Sequence, residues 1–125
     1  MTAEVADIFA DARQLHAAAL DRLAAGDMRD AAEKAWCATK RATDAMVLAL
    51  TGEEPLKSTE TSIGLRVLEV TYQGVSDLVG RYYTRQSILH GECFYLGLCE
   101  PLETTERRIR ETLDYIADAE RLAAS

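Results

Sequence analysis

"GRYYTRQSILHGECFY" runs from Gly80 to Tyr95 and gathers Arg81, Arg85, three tyrosines, His90, Glu92 and Cys93 in a chain that otherwise reads as plain helix. The apolar spacing carries a helix into this stretch, and Gly91 is placed to end it. How the stretch ends decides how Arg85 and His90 sit. Five steps along an unbroken α-helix leave two side chains about 140° apart, so they do not share a face. They converge if the helix stops before His90, or if two copies of the chain contribute.

The pair is worth following because of its chemistry. An imidazole takes or gives a proton near neutral pH. A guanidinium stays charged and grips phosphate in a fork. Together they form a minimal kit for cleaving a phosphodiester without a metal. His90 would act on the attacking 2′-hydroxyl or on the leaving oxygen, and Arg85 would stabilise the charged phosphorane. The spacing alone is weakly specific. Two polar groups at a helix end are the plain structural alternative.

Upstream, "TAEVADIFADARQLHAAALDRLAAGD" places Val5, Ile8, Ala12, Leu15, Ala19 and Leu23 in one helical stripe that ends at Gly26. Asp27 stands where the next helix needs an N-cap, and Asp30 adds charge to its first turn. That helix, "MRDAAEKAWCATKRATDAMVLALTG", carries Ala32, Ala35, Trp36, Thr39, Ala42, Met46 and Leu50 on one face and ends at Gly52. "GEEPLKSTET" is a loop, and a helix resumes near Thr59 to Ser62. The third segment offers Leu65, Leu68, Val75, Leu78, Val79, Tyr82 and Tyr83, with Gly64, Gly74 and Gly80 weakening its middle, so a bend or two shorter helices are expected. "ECFYLGLCE" reads as an irregular link. Pro101 suits the first turn of a last helix, with Leu102, Ile109, Leu113 and Ile116 inward and Glu106 paired to Arg110. No strand pattern appears. The expectation is all-α: one domain, 1–125, built as an antiparallel four-helix bundle with an extra short or bent helix before the last helix.

The 125 residues carry a net charge of -7, which argues against a broad basic face for nucleic acid. It leaves room for a small basic site, for which Arg66, Arg81 and Arg85 are candidates. No apolar run approaches the ~20 residues of a membrane span, and the acidic start is no secretion signal, so a cytoplasmic protein is expected. In a reducing compartment Cys37, Cys93 and Cys99 are expected as free thiols. His90, Cys93 and Cys99 make a poor zinc set, lacking a familiar second half, and no metal or cofactor is expected. Tyr72, Tyr82 and Tyr83 could stack on a base, but such residues more often edge a bundle. Trp36 reads as core, and His16, beside the first stripe, as a partly buried, hydrogen-bonded histidine.

Three stretches, in order, resemble the HEPN family: "AAEKAWCATKRATDAMVLALTGEEP", "RQSILHG" and the final amphipathic helix. The second is similar to that family's R-X4-6-H motif. The resemblance covers nearly the whole chain and is carried by the order and spacing of the three stretches. It implies an all-α bundle and a metal-independent endoribonuclease, often a toxin or defence component. It also implies a homodimer whose two copies bring Arg and His together. Arg85 and His90 are then the catalytic pair, with Gln86, Tyr82, Arg81 and Glu92 around them. Gln86 departs from the Asn, Asp or His that active members often carry after the arginine. Glu92 stands where members paired with a nucleotidyltransferase antitoxin carry Tyr. The alternative is a noncatalytic module that binds a nucleotide or a partner protein.

Overall fold

Two glycines in left-handed conformation end the first two helices and set the turns after them. Gly26 (φ 82°) and Gly52 (φ 83°) close the first two helices, where a side chain would be strained. The computed structural model describes all 125 residues. α1 spans Ala3–Ala24 and α2 spans Met28–Thr51. Asp27 caps α2 as its chemistry demands, its carboxylate accepting from the Asp30 amide at 3.1 Å. Ion pairs Arg22–Asp30 and Asp11–Arg41 cross the two helices in antiparallel register.

The rest of the chain is α3 (Ser58–Thr71), α4 (Val75–Arg85), a π-helix (Gln86–Tyr95), α5 (Leu102–Arg110) and α6 (Thr112–Ala123), with no strand. The expected bend falls at Gly74, whose φ is 95°. Successive contacts show that α3, α4 and the π-helix descend along α2 as one line: Gly64 against Val47, Arg85 on Thr39, His90 on Glu33. α6 packs on the other side, where the Thr43 and Tyr115 hydroxyls meet at 2.7 Å, and Arg13 of α1 holds Glu120. α2 is therefore central, and it is buried on more than one face. One core of 26 buried apolar residues draws on every helix. No helix is long and apolar enough to cross a membrane.

Three expectations need correction. Gly91 does not end a helix; it lies inside the π-helix, and the chain turns instead at Gly97 (φ 73°). The last segment is two helices that meet at Glu111. Within it Ile109 and Ile116 are buried, but Leu102 and Leu113 are about half exposed. Thr105 and Thr112 hold the inward places, because their hydroxyls bond the Cys99 carbonyl and the Arg85 guanidinium. Cys93 and Cys99 are not free thiols. The turn at Gly97 brings them together and they form a disulfide, which leaves Cys37 as the free cysteine.

Candidate functional site

Arg85 ends α4 and points inward at 7% exposure. Its Nε donates to Thr39 Oγ1 at 2.9 Å, and its Nη2 donates to the Arg108 carbonyl at 2.8 Å and to the Thr112 hydroxyl. No carboxylate pairs with it. Burial pushes its pKa down to about 10, so it remains charged at neutral pH. A buried charge without a counter-ion is costly, which marks the position as more than packing. The remaining nitrogen, Nη1, makes no bond within the protein, and Arg85 lines an open cavity shared with Arg81.

His90 lies in the middle of the π-helix, a form whose i→i+5 bonds are rare and frequent at functional sites. It runs for ten residues here, where a single turn is usual. Its wider turns reduce the offset that an α-helix would leave between positions five apart. The imidazole Nδ1 lies 2.7 Å from Glu33 Oε1 on α2. That contact fixes the tautomer, with Nδ1–H donating, and leaves Nε2 without a protein partner. The ring stacks on Phe94 with centroids 6.1 Å apart and also faces Trp36 at 6.2 Å. Its side chain is 42% exposed. This is a held, oriented and reachable imidazole.

The two members of the pair nevertheless reach different places in one protomer. Their anchors on α2, Thr39 and Glu33, are six residues apart, which is about 9 Å of helical rise. Trp36 fills the space between, its ring 5.0 Å from Tyr82. The cavity beside Arg85 is not lined by His90.

The expected supporting residues scatter as well. Tyr82 is fully buried, its hydroxyl bonds nothing, and burial raises its pKa to about 12, so it belongs to the core. Gln86 is half-buried and faces the start of α3 beside Ser58 and Ser62. Arg81 bridges Asp77 at 2.9 Å and Asp118 at 2.7 Å. Glu92 and Arg66 are exposed, and Arg66 does not line the arginine cavity. The Cys93 and Cys99 sulfurs are bonded to one another and so are not free to hold zinc. Glu33 and Phe94, which position His90, were not singled out from the sequence. The clues were there: Glu33 precedes Trp36 by one α-helical step of three, and Phe94 follows His90 by four.

No curated protein and no solved structure matches the chain. A family model, however, covers residues 7–113, a range that holds α1 from its second turn through to the start of α6 and includes Glu33, Arg85, His90 and Arg108. By that match the chain belongs to the archaeal PaREP1/PaREP8 family.

Proposed function

We propose that this chain is a metal-independent endoribonuclease of HEPN type, working as a homodimer with a composite Arg/His site and serving as a toxin or defence component. On this reading the helices form an antiparallel four-helix bundle of α1, α2, the α3–α4–π line and the α5–α6 line. The observation that carries the proposal is the His90–Glu33 pair: a half-exposed imidazole, locked in one tautomer by a carboxylate at 2.7 Å, with Nε2 turned to no protein group.

The chemistry follows from one such imidazole set beside the partner copy's Arg85. His90 takes the proton from a ribose 2′-hydroxyl. The O2′–P bond forms and the P–O5′ bond breaks. The imidazolium so formed gives its proton to the departing O5′. The products are a 2′,3′-cyclic phosphate and a 5′-hydroxyl. Arg85 offsets charge on the phosphorane. Because Arg85 and His90 diverge within one protomer, the reading needs the second copy to bring them to one phosphate. Support for a second copy comes from Tyr95, Leu96, Leu98 and Leu102, apolar residues between 50% and 73% exposed that follow His90 in the chain.

The test is cleavage of RNA oligonucleotides in EDTA, with end-group analysis. Expected are cyclic-phosphate ends, a loss of about 10²–10⁴-fold in His90→Ala, and a smaller loss, on the order of tenfold, in Glu33→Gln. An unaltered protein that cleaves no RNA under any reasonable condition ends the reading.

One observation favours a second reading. Three protein groups already hold Arg85. A noncatalytic module that binds a nucleotide or a partner through this face would use it as a fixed charge. Nucleotide binding lost in Arg85→Ala, with no turnover in either protein, would support that module.

A further inference from the structure

The cavity beside Arg85 lies between α4 and the α5–α6 corner and has a volume of about 400 Å³, within the range that ligand sites occupy. No hydrophobic residue lines it. Three arginines do, namely Arg81, Arg85 and Arg108, together with Asp77, Glu111 and Asp114. Counting charges that are already paired changes the picture. Arg81 is held by Asp77 and Asp118, and Glu111 lies 3.5 Å from Arg107. Left without ionic partners are the Arg85 and Arg108 guanidiniums and the Asp114 carboxylate, two positive against one negative.

We propose that this cavity is a binding site for a compact phosphate group, either inorganic phosphate or the phosphate of a small phosphomonoester. Arg85 forms the buried floor with Nη1 free, and Arg108 lines the cavity from α5. The two guanidiniums repel one another across the site: burial does most to hold the Arg85 pKa down, and Arg108 adds to it while Glu111 opposes it, so a bound anion relieves the repulsion. The lining has no aromatic ring on which a base could stack, so the site reads a phosphate rather than a nucleobase. Asp114 opposes a dianion and sets how tightly it is held. The site is complete in one protomer and does not include His90; it shares Arg85 with the nuclease reading but does not depend on it.

Calorimetric titration of the full-length protein with sodium phosphate, and separately with glycerol 3-phosphate, distinguishes the two sources. Saturable binding of either is expected, with Arg108→Ala weakening it at least tenfold and Asp114→Asn tightening it several-fold. The Arg108 side chain makes no bond within the protein, so its removal leaves the fold intact, which circular dichroism checks. Arg110→Ala removes an equal charge from the same helix outside the cavity and should change nothing. Absence of saturable binding, or equal losses in Arg108→Ala and Arg110→Ala, overturns the site. Phosphate binding without RNA cleavage would sink the nuclease and leave the pocket standing; cleavage without phosphate binding would do the reverse.

Discussion

Single residues show why an apolar stripe is an incomplete guide to this core. Thr39, Thr43, Thr61, Thr105 and Thr112 are all buried, and each bonds something that must be satisfied there. Thr61 donates to buried Asp44 at 2.6 Å, and Thr39 and Thr112 receive the Arg85 guanidinium. His16 is the opposite case, since its Nε2 is buried with no partner. Burial pushes its pKa below 6.5 against the opposing pull of the Arg110 backbone, and the Arg85 charge adds to the lowering. The unfolded chain then binds a proton at His16 that the folded chain refuses. Stability from this group is complete above pH 6.5 and falls as the pH drops from there toward the folded value. Thermal melts at pH 7.5 and 5.5 should show a smaller drop in Tm for His16→Leu than for the wild type. Parallel drops would show that His16 does not sense acid. Sequence alone singled out Arg85, because residue type limits what a group can do, but it reads His16 as partly buried and hydrogen-bonded where the structure buries it with Nε2 unpartnered. It missed Glu33, because a carboxylate's partner is chosen by a contact 57 positions away in the chain.

At the scale of elements, glycines were the readable punctuation and the π-helix was not. Gly26 and Gly52 are legible as helix ends, since a positive φ has a residue signature, whereas the bend expected among Gly64, Gly74 and Gly80 falls at Gly74. An i→i+5 bond has none: the same side chains fit an α-turn, so Gly91 was read as a stop. Gly64 looks in the sequence like a weak point in a helix, yet its role is close approach. A Cβ there would meet Val47 Cγ1 at 2.8 Å and Cγ2 at 3.3 Å, and a valine on a helix has little freedom to turn aside. Gly80, also in a helix, has nothing within 4 Å of a Cβ. Two substitutions of one kind should therefore differ in sign. Gly64→Ala should lose about 1–2 kcal/mol by overpacking, even after the gain in helix propensity, and Gly80→Ala should gain up to about 1 kcal/mol. Urea unfolding with unchanged m-values would measure both. Equal gains at the two sites would show that α3 can lift off α2 without cost.

At the scale of the whole molecule, one protomer separates the groups that the nuclease reading needs together. Arg85 opens to a polar cavity at the α5–α6 corner, and His90 is held at Glu33 farther along α2. A two-fold dimer resolves this if each site takes Arg85 from one copy and His90 from the other, because a two-fold axis makes two equivalent composite sites. That arrangement has a consequence that no single-protomer site shares. Arg85→Ala and His90→Ala are each inactive as homodimers. In a mixed dimer one site carries both lesions and the other carries neither. Re-pairing equal amounts after mild dissociation makes half the dimers mixed, so activity should return to about a quarter of the wild-type level. Arg85→Lys replaces Arg85→Ala if circular dichroism shows that loss of the three Arg85 bonds unfolds the chain. The assay is RNA cleavage before and after mixing, with the dimer followed by light scattering. Recovery would assign the site to the interface. Inactive mixtures from two folded, exchanging variants would mean that Arg85 and His90 never serve one phosphate, and Arg85 would then belong to the anion cavity alone.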